Sequence, residues 1–75
     1  MPRLPILTAR QLIRFLKDQG FVEVRQSGSH LTLRRESDGR TVTVPVHTGQ
    51  DIGRGLLRRI LRDAGFSTED FCRLR

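Results

Sequence analysis

Two stretches of apolar residues with helical spacing enclose three short stretches in which apolar and polar residues alternate, and this order restricts the fold more than any other feature. Residues three and four positions apart lie on one face of an α-helix, so each outer stretch predicts a helix with one apolar side. The first stripe consists of Ala9, Leu12, Ile13 and Leu16, and the second of Leu56, Leu57, Ile60, Leu61 and Ala64. A chain with this order is expected to cover a small sheet with two helices.

The sequence also marks where these helices begin and end. Thr8 precedes the first stripe, and its hydroxyl can accept a hydrogen bond from the free amides of the first helical turn. Gly20 and Gly65 follow the two stripes, where glycine readily adopts the left-handed conformation that ends a helix. Residues 67–70 predict the start of a short last helix. Its predicted apolar contacts are Phe66, Phe71 and Leu74.

Between the two stripes, residues 21–25, 31–34 and 41–44 predict three strands. Ser27 and Gly28 mark a turn after the first strand, and residues 36–39 predict a hairpin turn between the second and the third. Pro45 has no amide hydrogen to donate, so it either ends the third strand or lies on a sheet edge. Short turns join neighbouring strands, and the predicted sheet is therefore an antiparallel meander.

Both helices must bury their apolar faces on the same face of this sheet. We therefore predict a single α+β domain over residues 1–75, with the α-β-β-β-α order of a double-stranded-RNA-binding fold. Its three-stranded antiparallel sheet carries two helices on one face, followed by a short C-terminal helix. Alternation then directs two sets of strand residues to opposite faces. Toward the helices point Leu31, Leu33, Val42 and Val44, and away from them point His30, Thr32, Arg34, Thr41 and Thr43.

The charge of the chain favours a polyanionic partner. Fourteen Lys and Arg residues, thirteen of them Arg, outnumber eight Asp and Glu residues and give a formal net charge of +6. A guanidinium fits a phosphate with two parallel hydrogen bonds, so nucleic acid is the first partner to expect. The exposed side of the second helix carries Arg54, Arg58, Arg59 and Arg62. This row is open to three interpretations: a phosphate-binding track, a solvated face, or a surface that an acidic protein covers.

The cysteine content and the hydropathy exclude several other classes. Cys72 is the single cysteine, so the chain cannot form an internal disulfide or a cysteine-based metal cluster. No apolar run approaches the ~20 residues of a membrane-spanning helix, and the first residues lack the apolar stretch of a signal peptide. We therefore expect a cytoplasmic protein that does not bind a membrane.

The tripeptide Gly28-Ser29-His30 stands where the predicted turn enters the second strand. Cleavage of RNA by its own 2′-hydroxyl requires proton transfer and positive charge near the phosphate, and histidine exchanges protons near neutral pH. Gly28 would let the backbone approach a phosphate, Ser29 could donate a hydrogen bond, and Arg34 could supply charge. The competing interpretation is that His30 is an ordinary exposed strand residue.

His47 is the second histidine, and it lies in the segment before the second helix. The chain has no His-x-x-x-His spacing, and a zinc site usually takes three or four protein ligands. We therefore expect neither a metal nor another cofactor. His47 is interpreted as fixing this segment through a local hydrogen bond or as contacting RNA.

The ordered series of motifs resembles the HicA family of bacterial toxins from about residue 9 to residue 71. The motifs are Gln19-Gly20-Phe21, Gly28-Ser29-His30, Gly39-Arg40, Val42-Thr43-Val44-Pro45-Val46-His47, Gly49, Gly55, Leu57-Arg58-Arg59-Ile60-Leu61, Ala64-Gly65-Phe66 and Glu69-Asp70-Phe71. The resemblance implies cleavage of messenger RNA, a HicB-type antitoxin as partner, and His30 as the catalytic histidine. Leu56 departs from the threonine of many relatives.

The favoured function is therefore a toxin that cleaves messenger RNA, with His30 as catalytic residue. The expected RNA-binding residues are Gly28, Ser29, Arg34, Arg54, Arg58 and His47. Two alternatives are open: an RNA-binding module without catalysis, and a module that binds only an acidic protein. Loss of cleavage on replacing His30 would separate the first possibility from the second, and RNA affinity separates both from the third.

Overall fold

The computed structural model describes residues 3–47 and 51–75, and within them the helices and strands follow the predicted order. Gly49, one of the motif residues above, lies outside the described residues. The elements are β1 (Leu7–Thr8), α1 (Ala9–Asp18), β2 (Phe21–Ser27), β3 (His30–Arg35), β4 (Arg40–Pro45), β5 (Asp51–Ile52), α2 (Arg54–Asp63) and α3 (Thr68–Leu74). The predicted α+β class is confirmed, and the two-residue strands β1 and β5 are additional.

The ends of the helices are built as their sequences predict. The Thr8 hydroxyl accepts a hydrogen bond from the amide of Gln11 at 3.1 Å, and the Gln11 side chain accepts one from the Thr8 amide at 3.0 Å. Ser67 and Asp70 form the same reciprocal pair at the start of α3. Left-handed glycines at the predicted positions 20 and 65 follow α1 and α2, with φ of +96° and +90°. Each cap supplies partners for backbone groups that a helix end leaves free.

Strands β2, β3 and β4 form an antiparallel meander with β3 in the centre. Leu31 pairs with Val44, and Leu33 pairs with Val42, so the predicted inward-facing residues meet across the strands. All four are buried. Pro45 satisfies both predictions made for it, because it ends β4 and β4 is an edge of this sheet.

A second, two-stranded sheet joins the starts of the two long helices. Leu7 of β1 pairs with Ile52 of β5, and Thr8 pairs with Asp51, in antiparallel register. Thr8 is also the N-cap of α1, and Gly53 is the N-cap of α2. This short ribbon therefore holds the N-terminal ends of α1 and α2 beside each other.

The core lies between the helices and the sheet, as expected. The predicted α2 residues Leu57, Ile60 and Leu61 are buried in one cluster with the inward-facing strand residues and with Leu12 and Leu16 of α1. Three residues depart from the predicted pattern. Leu56 is 39% exposed and Leu74 is 40% exposed, so the prediction that they belong to the apolar contacts is wrong. Phe15, which the predicted stripe omitted, is buried edge-on against Phe66 and Phe71.

The reasons for these departures are geometric. Leu56 lies about 100° around the helix from Leu57, at the border of the buried stripe and in the first turn of α2. Leu74 is the last residue of α3. Phe15 follows Leu12 by three positions, so helical spacing allows it on the buried side of α1, and the rings of Phe66 and Phe71 cover it there.

Arg35 joins the sheet to the C-terminal ends of both long helices. Alternation places it on the covered face of β3, where its side chain is 17% exposed. The guanidinium donates to the carbonyl of Gln19 at 3.4 Å and to that of Ala64 at 3.1 Å, and it stacks on the ring of Phe21. It also donates to Asp38, and this hydrogen bond is the main reason that the pKa of Asp38 falls to about 2. A cation is favourable at helix C-termini, so one side chain stabilises three elements.

Candidate active site

His30 is the first residue of the central strand, and its side chain is exposed. It pairs with Ser27 across β2 and with Pro45 across β4. The pairing of Ser27 with His30 leaves a two-residue loop of Gly28 and Ser29. Gly28 has φ of +58°, whereas the φ of Ser29 is not positive, because within the described chain only glycines have positive φ. A positive φ at the first loop residue and a negative φ at the second are typical of a type II′ hairpin turn. His30 therefore lies at the rim of the sheet, directly after this turn.

The backbone of this turn is open on the side of Gly28. A Cβ atom built on Gly28 would meet nothing within 4 Å. The Gly28 carbonyl accepts a hydrogen bond from the Gln26 side-chain amide at 3.2 Å, which fixes the turn from one side only. A ligand can therefore approach the main chain here at short distance.

His47 lies at the same corner, although seventeen positions separate it from His30 in the chain. Its Nε2 atom is 3.2 Å from the Ser29 hydroxyl, and the amide of the preceding residue, Val46, donates to the Ser29 carbonyl at 2.6 Å. The sequence predicts either a local bond or an RNA contact for His47. The bond that the structure contains is not local, since it connects the end of β4 to the turn between β2 and β3.

The arginines predicted to bind RNA differ in where they lie and in what they contact. Arg34 is four residues further along β3, about 13 Å from His30, and forms an ion pair with Glu36 at 3.4 Å. Arg54 donates from Nε to the carbonyl of Leu4 at 2.5 Å. Arg58 is exposed on α2, which covers the opposite face of the sheet. The structure thus groups Gly28, Ser29, His30 and His47, and it separates Arg34 and Arg58 from these residues, whereas Arg54 binds the segment before β1.

A different arginine lies nearer to His30. The pairing of β2 with β3 shifts between Glu23, which pairs with Leu33, and Arg25, which pairs with Thr32. Directly opposed residues point to the same face, so Arg25 shares the open face with Thr32 and is a diagonal neighbour of His30, about 7–8 Å away. Without the extra residue of this bulge, Arg25 would oppose Leu31 and face the helices. Sequence reasoning missed Arg25 for that reason.

The described residues do not provide a metal site or a membrane span. They contain no group of three or more His, Cys, Asp or Glu side chains placed to bind a metal ion. Within residues 3–47 and 51–75, none of the helices has the length and the hydrophobicity needed to cross a membrane.

The arrangement is an exposed pair of histidines beside an open glycine turn, with a guanidinium on the neighbouring strand. Imidazoles can transfer protons, and the exposed cation can bind an anion. Residues 9–66 match the family model described as the HicA toxin of bacterial toxin-antitoxin systems. A comparison with curated protein sequences gives no match.

Proposed function

This chain belongs to the HicA toxin family of bacterial toxin–antitoxin systems, and from that premise we propose that it is a ribonuclease that cleaves messenger RNA, with His30 as its catalytic residue. The reaction needs no metal ion, because RNA carries its own nucleophile in the 2′-hydroxyl. The protein has to move protons and to stabilise the negative charge that develops on the phosphate oxygens.

The position of His30 is the observation that carries this proposal. Its imidazole is exposed at the rim of the sheet, next to a turn in which Gly28 leaves the backbone uncovered. Histidine is the side chain most often used as a general acid or base. A phosphodiester that enters at Gly28 would meet His30, Ser29 and His47 together. A core histidine would have no access to a polymeric substrate, whereas this one does.

The arginines have a separate part in the proposal. Arg34, Arg54 and Arg58 would contact phosphates further along the RNA. Arg34 lies about 13 Å along β3 from His30, Arg58 lies on the helix that covers the other face, and Arg54 is engaged with the Leu4 carbonyl. Contacts of this kind strengthen binding without reading sequence, and they weaken as salt is raised. The RNA would then follow the basic surface around the domain.

The test compares purified wild type with His30→Ala on an end-labelled RNA. We expect the variant to lose cleavage by about 10²–10⁴-fold, which is the usual contribution of one acid–base group. Thr41→Ala is the matched control, because Thr41 is an exposed residue at the opposite end of the same sheet face. Wild type should cleave in excess EDTA, leave a 2′,3′-cyclic phosphate and spare DNA of the same sequence.

Two results would contradict the proposal. Cleavage by His30→Ala at the wild-type rate would end the catalytic assignment. Loss of cleavage in EDTA, with recovery on adding Mg²⁺ or Mn²⁺, would end the metal-independent mechanism. Wild type that binds the RNA tightly but does not cut it would support the alternative of a non-catalytic RNA-binding module.

As a toxin, the protein requires an antitoxin, and we propose an acidic one of the HicB type that acts in the cytoplasm. Such a partner would cover His30 and pair carboxylates with some of Arg34, Arg54 and Arg58. Opposite charges accelerate encounter, so association should slow as salt is raised. A neutralised complex in which His30 stays open to RNA would refute this steric mode of inhibition.

A further inference from the structure

The chain has two histidines, and the structure brings both to one corner of the sheet. We infer that His47 is the second proton-transfer residue of the cleavage reaction, the acid that protonates the leaving 5′-oxygen, and that Ser29 is the residue that positions it. This inference rests on the proposed function, in which His30 removes the proton of the 2′-hydroxyl.

Two hydrogen bonds fix His47 relative to His30. Val46 donates its amide to the Ser29 carbonyl at 2.6 Å, so the main chain before His47 is tied to the turn. The imidazole itself lies 3.2 Å from the Ser29 hydroxyl through Nε2. Consecutive Cα atoms are about 3.8 Å apart, so His30 and the residue that holds His47 are direct neighbours. The His47 imidazole is thus held at the residue directly before His30, at the same corner of the sheet.

The bond to Ser29 also determines which nitrogen of His47 faces the substrate. When the hydroxyl accepts from Nε2–H, the imidazolium keeps its Nδ1–H free for another acceptor. His47 is exposed, and so is the bond, so the interaction adds little to the stability of the fold. A hydrogen bond that holds an exposed histidine beside an open turn is suited to orienting the ring for transfer of a proton.

The reaction step balances with these two residues. His30 takes the proton of the 2′-hydroxyl while the O2′–P bond forms. The P–O5′ bond breaks, and His47 gives its proton to the departing oxygen. The products are a 2′,3′-cyclic phosphate and a free 5′-hydroxyl, with His30 protonated and His47 neutral. Exchange of protons with water restores both residues for the next turnover.

The test uses two RNA substrates of the same sequence. One has the normal 5′-oxygen at the scissile phosphate, and the other has sulfur in its place, which leaves as a thiolate without needing a proton. On the normal substrate we expect His47→Ala to lose at least about 10²-fold in rate. On the sulfur substrate the same variant should stay within about 10-fold of wild type, because no acid is required. His30→Ala should be impaired on both substrates.

Further variants separate the catalytic role from a structural one. His47→Gln keeps an amide near Ser29 but cannot supply the proton. It should therefore show the selective loss on the normal substrate even if His47→Ala does not fold. Ser29→Ala should show a smaller loss confined to the normal substrate, and Ser29→Thr, which keeps the hydroxyl, should recover it. Urea unfolding midpoints close to that of wild type would establish that these variants are folded.

Each result distinguishes this inference from the proposed function. His47→Ala and His47→Gln that cut normal RNA at the wild-type rate would overturn the inference and leave His30 untouched. Equal loss on both substrates would assign His47 to phosphate binding and overturn its role as an acid. Full activity of His30→Ala would overturn the proposed function whatever His47 does.

Discussion

Replacing Arg35 by Met should destabilise the domain far more than replacing Arg40 by Met. The two arginines contact the same carboxylate, Asp38, and both donate to a backbone carbonyl near the end of α2. They differ in burial, since the side chain of Arg35 is 17% exposed and that of Arg40 is 47% exposed. Methionine retains most of the apolar length of either side chain. The difference in stability between the two variants therefore reports mainly on the contacts of the two guanidinium groups.

The size of the effect follows from the contacts of Arg35. Its bonds to the Gln19 and Ala64 carbonyls are each worth about 0.5–1.5 kcal/mol, the first at the low end because it is long. Stacking on the rings of Phe21 and Phe66 adds about 1 kcal/mol beyond what methionine restores. The exposed ion pair is left out of this sum. We expect Arg35→Met to cost about 2–3 kcal/mol, and Arg40→Met less than about 1 kcal/mol.

The measurement is urea unfolding at pH 7, followed by circular dichroism, with the slope m held equal among the three proteins. A domain of this length has a total stability of about 4–11 kcal/mol, so Arg35→Met should lose roughly a fifth to three quarters of it. If Arg35→Met lies within about 1 kcal/mol of wild type, or if both variants lose equally, the reasoning from burial and carbonyl bonding is refuted.

Three further predictions follow from single features of the structure. Gly65→Ala should destabilise the domain by about 1–2 kcal/mol, because φ is +90° at this position. Gly55→Ala, in the exposed first turn of α2, should stabilise it by about 0.5–1 kcal/mol. Changes of the same sign in the free energy of unfolding, measured in urea, would contradict this prediction. Arg25→Ala should reduce the cleavage rate constant of bound RNA more than Arg34→Ala, and the reverse order in single-turnover assays would refute the assigned register. Because the folded pKa of Asp38 is about 2, against 3.8 as its reference value, its contribution to stability is complete above pH ~4 and is lost as the pH falls toward 2. Asp38→Asn should therefore unfold at lower urea at pH 7 and show a weaker pH dependence between pH 4 and 2; an unchanged dependence would exclude Asp38 as its source.

Local features of the chain could be predicted because neighbouring residues determine them. Thr8 and Ser67 cap their helices through residues three positions away, and the glycines at 20 and 65 have no side chain to oppose a left-handed φ. The alternation of Leu31 and Leu33 determined which face of β3 is covered. The same alternation placed His30 on the open face, which is the part of the candidate site that the sequence supports directly.

Features that depend on distant parts of the chain could not be predicted. The periodicity of α1 does not contain the rings of Phe66 and Phe71 that bury Phe15. The bulge that turns Arg25 outward shifts the pairing of β2 with β3 by one residue. Alternation along β2 does not show where this shift occurs, so it cannot say whether Arg25 faces the helices or the open side. The bond between Ser29 and His47 depends on how β4 leaves the sheet. The glycine turn and the two histidines could therefore be named as candidates from the sequence, but Arg25 and the geometry of the corner could not.

The ribbon of β1 and β5 also has a consequence for the order in which the chain folds. The meander of β2, β3 and β4 closes over short turns, whereas Leu7 and Ile52 pair across a separation of 45 positions in the chain. Closing long loops is slow, so the meander should form in the folding transition state and the ribbon after it. Leu33→Ala should then slow folding, whereas Leu7→Ala should mainly accelerate unfolding. The ribbon would thus form late in folding and mainly determine the unfolding rate, and with it the lifetime of the folded domain.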